Sequence, residues 1–157
     1  MRSCGFNGGT GVTTKSDELA ALVERVQSGA LKALSIKQPW AHHILHDGKD
    51  IENRNWPTKG RGWFIIHAGK SPDGSLPRAL ADVPRGGIVG MACIVDCVDH
   101  SDSKWFMGKY GFVLRDAFTV PLIPCRGQLG FFRPPDDALA SLIEALKRME
   151  TGDADRG

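Results

Sequence analysis

The 157-residue sequence contains no apolar run that approaches the length needed to span a bilayer. Its first residues also lack the apolar core of a signal peptide. These two absences argue against a membrane-spanning or secreted protein, so a cytoplasmic location is expected. Apolar residues make up 41% of the chain and charged residues 24%, which is the balance of an ordinary globular protein.

The sequence has four cysteines but no C-x-x-C pair, and it has no H-E-x-x-H motif. Cys93 and Cys97 lie in an apolar segment, which favours reduced core thiols over a metal site or a disulfide framework. His42 and His46 are four residues apart, and we interpret them as the polar face of a helix. The expectation is therefore a protein with no metal and no cofactor.

The chain length fits one domain, and the sequence shows no internal repeat, no coiled-coil heptads and no βαβ alternation. Residues 1–15 are rich in glycine, threonine and serine and are predicted to form a flexible tail. The predicted domain covers residues 16–150, with flanking helices at 16–30 and 134–150. Residues 151–157 are predicted to form a second flexible tail.

Short apolar stretches separated by glycine and proline dominate the centre of the chain. They predict strands at residues 31–37, 51–54, 63–67, 87–98, 112–114 and 128–132. Helices are predicted at 17–27 after a Ser16 cap, at 39–48, and from 134–136 to about 148. Many short strands with few helices indicate an α+β fold, a small β-barrel with peripheral helices.

The net charge is only +2, but the charges are unevenly distributed. Residues 32–78 hold eight basic and four acidic side chains, and residues 104–133 hold five basic and one acidic. Residues 79–103 and the segment from 134 onward are both acidic overall. If the two basic stretches meet in space, they form a cleft that attracts phosphate or another anion. The alternative is that these charges are scattered over a solvated surface.

Three segments carry a family resemblance: LSIKQPWA at 34–41, GKDIENRNW at 48–56, and the pairing of RG at 61–62 with IHA at 66–68. Together they resemble the ASCH domain, whose signature G-x-K-x-x-E-x-R falls here on Lys49, Glu52 and Arg54, with Asp47 in place of the first glycine. The resemblance covers about residues 31–132, and YGFVL at 110–114 and CRGQLGFF at 125–132 look like the closing strands of small microbial and phage single-domain members. It implies a PUA-like pseudobarrel.

The resemblance and the basic stretches together predict binding of RNA, single-stranded nucleic acid or a modified nucleoside, and no membrane partner. Arg54 can clamp a phosphate or carboxylate through two parallel hydrogen bonds. Trp56, in a proline-containing loop, is a stacking candidate, whereas Trp40 and His67 also fit the core. The predicted ligand-binding residues are Ser35, Gln38, Pro39, Trp40, Asn53, Arg54, Trp56, Arg61, His67, Lys70 and Arg126.

The resemblance also implies an alternative, because some small ASCH-like proteins are amidohydrolases that deacylate N4-acetylcytidine with a lysine, a threonine and a glutamate. Lys49 matches the lysine, Glu52 occupies the threonine position, and the distal glutamate has no matching position. A lysine with a lowered pKa or a glutamate with a raised pKa can activate water, so Lys49 and Glu52 are the candidate catalytic residues. A ribonuclease, a structural ion-pair cluster and a protein-interaction scaffold remain further alternatives.

Overall fold

The computed structural model describes residues 14–152 of the chain. Within this range the chain forms three helices and six strands, with a 3-10 turn at Arg78–Leu80 between the third and fourth strands. In chain order they are α1 (Lys15–Gln27), β1 (Ala33–Ile36), α2 (Trp40–His46), β2 (Ile51–Arg54), β3 (Gly62–Ala68), β4 (Gly87–Val98), β5 (Tyr110–Pro124), β6 (Phe131–Phe132) and α3 (Asp136–Thr151).

The described strands form one mixed sheet in the order β2-β5-β4-β3-β1-β6. Only the β1–β3 pair is parallel among them, and the other neighbours are antiparallel. The register shifts three times along the β4–β5 ladder and once between β3 and β4. Such bulges bend and twist a sheet, and this sheet curls into a half-barrel accompanied by the three helices. The predicted α+β barrel with peripheral helices, of the PUA-like pseudobarrel type, is therefore confirmed.

Apolar side chains pack on both faces of the sheet because the strands alternate their side chains between faces. The stripes of α1 and α3 cover one face with the buried residues Leu22, Val26, Leu142, Leu146, Ile65 and Met91. On the other face α2 packs with Ala41 and Ile44 against Leu34, Ile66, Phe112 and Leu114. Burial on both sides explains the continuous apolar run of β3, as the sequence predicts.

Two strands differ most from their predicted extents. β5 runs for 15 residues, whereas residues 112–114 are predicted, because Asp116 adopts a positive φ of 58° and the ladder continues past it. An aspartate with prolines farther along is typical of a break, yet the pairing with β4 overrides it. β6 contains only Phe131 and Phe132, and the residues before it form a loop in which Gly130 has a φ of 67°.

The helix ends also differ from the predicted ones. Thr14, not Ser16, caps α1, and its side chain and that of Asp17 form a reciprocal capping box. α3 continues to Thr151 and is terminated by Gly152 in the left-handed conformation. The remaining parts of the two predicted tails, 1–13 and 153–157, lie outside the described residues.

The three described cysteines differ in burial. Cys97 and Cys125 are partly buried free thiols, as expected. Cys93 is buried.

Candidate functional site: a basic cleft at the signature strand

A cleft of about 1360 Å³ opens beside β2 and the ends of β1 and β3. Two loops border it, the 103–109 loop before β5 and the 125–130 loop before β6. The residues that line it are Ser35, Lys37, Trp40, Lys49, Glu52, Asn53, Arg54, His67, Gly69, Lys70, Ser71, Asp73, Gly86, Lys104, Trp105, Met107, Gly108, Cys125, Arg126, Gly127, Gln128, Leu129 and Gly130. We refer to this set as the cleft.

The turn before β2 places Lys49 in the cleft. Gly48 has a φ of 73°, a conformation that glycine adopts without strain, and the Lys49 N–H donates to the backbone oxygen of His43 at 3.0 Å. Asp47 ends α2 with a φ of −119°, so the left-handed residue of this turn is Gly48. The departure from the family signature at Asp47 therefore does not remove the glycine that the turn needs.

The Lys49 ammonium lies between two indole rings. Its Nζ is 5.4 Å from the ring centroid of Trp40 and 5.6 Å from that of Trp105. The residue is only 4% exposed, and burial lowers the pKa of Lys49, while Glu52 and Asp50 oppose this shift by Coulombic attraction. A lysine in this environment gives up its proton more readily than a solvated lysine does.

Glu52 and Arg54 point to the same side of β2 and form an ion pair, with Arg54 Nη2 2.9 Å from Glu52 Oε2. The same nitrogen donates to the backbone oxygen of Ser35 at 2.8 Å, so Arg54 ties β2 to β1. Burial raises the pKa of Glu52, although Arg54 and Lys49 counteract it. Among the described residues, Arg54 Nε is buried and has no hydrogen-bond partner.

A second polar unit lies where β1 and β3 run side by side, with Ser35 and His67 in register. The Ser35 Oγ is 3.0 Å from His67 Nδ1, and His67 Nε2 is 2.8 Å from the backbone oxygen of Cys125. His67 is 2% exposed, so sequence reasoning located a buried, hydrogen-bonded histidine that also borders the cleft.

Asn53 also lines the cleft, and each end of its amide makes one hydrogen bond to the 103–109 loop. Its Nδ2 donates to the backbone oxygen of Trp105, and its Oδ1 accepts from the backbone N–H of Met107, both at 2.9 Å. These bonds hold the loop in place, so Asn53 positions Trp105. They use one of the two N–H groups of Nδ2 and one of the two lone pairs of Oδ1.

Four of the predicted ligand-binding residues do not line the cleft. The Gln38 side chain is 1% exposed and bonds the Pro84 oxygen and the His42 N–H, which fastens the start of α2. Its neighbour Pro39 is buried as well. Trp56 packs edge-on against Phe112 and Phe131, since its loop folds back onto the apolar face. Arg61 donates to its own loop and lies 3.7 Å from Asp96.

The two predicted basic stretches do meet in the cleft. Six basic side chains line it against two acidic ones, Glu52 and Asp73. Lys37, Lys70, Lys104 and Arg126 are exposed, whereas Lys49 and Arg54 lie deeper. The charge balance of the lining is therefore strongly positive, and a concave surface of this kind concentrates anions.

Sequence reasoning missed most of the two bordering loops, and above all Trp105. Its ring lies 5.3 Å from that of His43 and 5.1 Å from Lys104 Nζ. The signal was present, because residues 104–109 combine two lysines, a tryptophan and a glycine in one short segment. Lys37 and Gln128 were missed too, since neither belongs to the signature.

The part of the chain between 14 and 152 contains no group of three or more histidine, cysteine or acidic side chains that could hold a metal ion. None of the helices in the same part is long and apolar enough to cross a membrane.

Comparison with known proteins places the signature in context. The family model described as "ASCH domain" matches residues 34–125, which is more than half of the chain. The chain is also similar to human (Homo sapiens) "Activating signal cointegrator 1", with 28% identity over 87 residues, 45% of this chain and 15% of that protein. The chain thus matches a small part of the length of this relative. Because the matched region contains β2 to β5, all but the first residue of β1, and the Lys49–Arg54 segment that lines the cleft, the resemblance is confirmed, and the chain belongs to the ASCH domain family.

Proposed function

We propose that the cleft binds single-stranded nucleic acid, with RNA as the expected form. The observation that carries the proposal is the meeting of six basic side chains with two tryptophan rings in one concave surface. Proteins that bind single strands combine a positive groove for the phosphates with aromatic faces on which bases stack. Membership of the ASCH domain family, whose fold is PUA-like, supports the same assignment.

The rim supplies the electrostatic part of this interaction. Lys37, Lys70, Lys104 and Arg126 are exposed cleft residues from four different connecting segments. Cations spread along both sides of a groove can contact successive phosphates and release their counterions. The volume also exceeds the roughly 300–1,000 Å³ of small-molecule pockets, which favours an oligonucleotide segment over a lone nucleoside.

Deeper in the cleft, Trp40 and Trp105 supply the aromatic part. The Trp40 Nε1 donates to Asp73 Oδ2 at 2.8 Å, and the Asn53 bonds hold the Trp105 loop, so both rings have fixed supports. Between them, Lys49 can place its charge near a phosphate or a base oxygen. The unpartnered Arg54 Nε offers a further buried donor to an anionic or carbonyl group.

Fluorescence anisotropy with a labelled single-stranded RNA of about 12 nucleotides tests the proposal. Binding should weaken linearly with the logarithm of salt concentration, by about 0.7 in slope for each phosphate contacted. Lys104→Ala and Arg126→Ala should each weaken binding and make that slope shallower. Lys147→Ala is the matched control, because Lys147 is an exposed lysine on α3 that does not line the cleft.

Absence of binding at low salt would refute the proposal, and so would an equal loss of affinity in Lys147→Ala and in the cleft variants. A single-stranded DNA of the same length, measured in parallel, reports whether the 2′-hydroxyl contributes.

A second candidate function is hydrolysis of an N-acylated nucleoside such as N4-acetylcytidine. It is favoured by one observation: Lys49, with a lowered pKa, and Glu52, with a raised pKa, are both buried and both border the cleft. In such a reaction a water oxygen bonds to the acyl carbon, the C–N bond breaks, and the departing nitrogen gains a proton. Lys49 or Glu52 would take the proton from water, and Arg54 would stabilise the oxyanion.

Incubation of the protein with N4-acetylcytidine, followed by chromatographic detection of cytidine and acetate, tests this second function. Lys49→Ala and Glu52→Gln should each abolish turnover, and full turnover in both variants would remove these residues from the mechanism. A parallel incubation with labelled RNA measures strand cleavage and so tests the ribonuclease alternative.

A further inference from the structure

We propose that Ser35 Oγ is an acceptor-only reading group that selects cytosine and adenine, which have an amino group where uracil and hypoxanthine have a carbonyl oxygen. This inference rests on the proposed function, because it assumes that a base enters the cleft. The hydrogen bonds of His67 determine the direction of the bond between Ser35 Oγ and a base.

This series of hydrogen bonds begins at a group that can act only as an acceptor. The backbone oxygen of Cys125 can only accept, so the His67 Nε2 that lies 2.8 Å away must carry the hydrogen. In a neutral imidazole the other nitrogen is then an acceptor. His67 Nδ1 therefore accepts from Ser35 Oγ at 3.0 Å, and the only hydrogen of that hydroxyl points at the imidazole. What Ser35 Oγ can still offer to the cleft is its lone pairs.

The neighbours of His67 favour the neutral ring. Its two hydrogen-bonding contacts are a hydroxyl and a carbonyl, and its ring packs edge-on against Phe132 with centroids 5.7 Å apart. No ion pair is formed by this side chain among the described residues. A buried cationic ring would be expected to have an acidic partner.

Two glycines lie beside the hydroxyl. A Cβ at Gly127 would lie 3.0 Å from Ser35 Oγ, and a Cβ at Gly69 would lie 3.5 Å from it. Both glycines line the cleft, as do Ser35 and His67. A side chain at Gly127 would crowd the oxygen, whereas a Cβ at Gly69 would make an ordinary contact with it.

An oxygen that only accepts discriminates between bases that otherwise have similar shapes. The amino groups of cytosine and adenine donate to it, whereas the corresponding carbonyl oxygens of uracil and hypoxanthine face it with lone pairs. A polar site that cannot pair with the wrong ligand rejects it more strongly than an apolar site does.

The test uses four RNA homopolymers of equal length, oligo(C), oligo(U), oligo(A) and oligo(I), in anisotropy titrations at one salt concentration. The expected result is that oligo(C) binds about tenfold more tightly than oligo(U), and oligo(A) about tenfold more tightly than oligo(I). Ser35→Ala should reduce both ratios to near one, whereas Lys147→Ala should leave them unchanged.

His67→Leu supplies a second variant, because it frees the Ser35 hydroxyl to rotate and donate. It should also remove the preference while the salt dependence persists, and a thermal melt of each variant verifies that it is folded. Should a variant not fold, the wild-type ratios still decide the inference.

The outcomes separate the inference from the proposed function. If the wild-type protein binds all four homopolymers with the expected salt dependence but without preference, the function stands and the inference fails. A preference for oligo(U) and oligo(I) shows that Ser35 donates, and it also overturns the inference. If none of the four binds, both fail.

Discussion

Arg54 Nη2 contacts two acceptors at once, Glu52 Oε2 at 2.9 Å and the backbone oxygen of Ser35 at 2.8 Å. Glu52 is 6% exposed, so this ion pair lies largely out of water. A buried pair of this kind contributes little net stability compared with apolar residues, but loss of one partner leaves the other charge uncompensated. Arg54 therefore has a structural role in β2, in addition to any contact that it makes with a ligand.

We expect Arg54→Ala to lower the free energy of unfolding by about 3 kcal/mol, because Glu52 would keep its buried carboxylate without the ion pair. Glu52→Ala combined with Arg54→Ala should cost at least about 1 kcal/mol less than the sum of the two single changes. Urea denaturation of the four proteins measures this coupling. Arg148→Ala is the control, since its pair with Glu144 is exposed and 3.8 Å long. A cost for Arg54→Ala no larger than that of Arg148→Ala would contradict the prediction.

Glu52 should also make stability depend on pH. Burial raises its pKa, so the folded state holds the proton more tightly than the unfolded state does. That contribution is fully present below the unfolded pKa, near 4.5, and is lost as the pH rises through the folded pKa. Glu52→Gln does not titrate, so its stability relative to the wild type should increase as the pH rises above the acidic range. Denaturant midpoints measured for both proteins from about pH 4 to pH 8 test this; a difference that shrinks with rising pH would show that Arg54 and Lys49 outweigh burial.

Replacement of Trp105 and of Trp56 by alanine should have opposite effects on RNA affinity and on stability. Trp105 borders the cleft, so Trp105→Ala should weaken RNA binding by about 1–3 kcal/mol through lost stacking, with a smaller effect on stability. Trp56 packs on Phe112 and Phe131, so Trp56→Ala should destabilise the fold by about 3 kcal/mol and leave the affinity of the folded protein nearly unchanged.

Anisotropy titrations and urea denaturation of the same two variants provide the comparison. If Trp56→Ala, measured where it is still folded, lost more affinity than Trp105→Ala, the sequence-based stacking prediction for Trp56 would be favoured over the packing seen in the structure.

The sequence was sufficient to predict the architecture because the apolar periodicity and the glycine positions are local signals. The predicted limits of β2 (51–54) and β4 (87–98) agree with the structure, and the predicted limits of β3 (63–67) differ by one residue at each end. The full length of β5 was not predictable in this way. Its second half is held as a strand by pairing with β4 across a positive-φ aspartate, which is a long-range effect.

The site shows the same division. Lys49, Glu52 and Arg54 were located by the signature, but the position of Trp105 depends on the Asn53 amide, more than fifty residues away in sequence. No local pattern reveals such a contact. Conversely, Trp56 looked exposed in its proline-containing loop, and only the folded chain shows its ring lying on Phe112.

Gly127 offers the sharpest test of how closely the 125–130 loop packs against the Ser35–His67 pair. A Cβ at this position would lie 2.7 Å from His67 Cε1 and 3.0 Å from both His67 Nδ1 and Ser35 Oγ, closer than such contacts normally come. Gly127→Ala should therefore displace the loop or the pair and cost about 1–3 kcal/mol of stability.

Gly130→Ala is the matched comparison on the same loop. Nothing lies within 4 Å of its added Cβ, but its φ of 67° strains any other residue, so it should cost about 1 kcal/mol without touching the pair. Urea denaturation gives the two stabilities, and the imidazole NMR signals of His67 report whether its hydrogen bonds have moved. Those signals should shift strongly in Gly127→Ala and little in Gly130→Ala. Equal shifts in the two variants would mean that the loop moves as a unit. They would contradict a specific need for glycine at position 127.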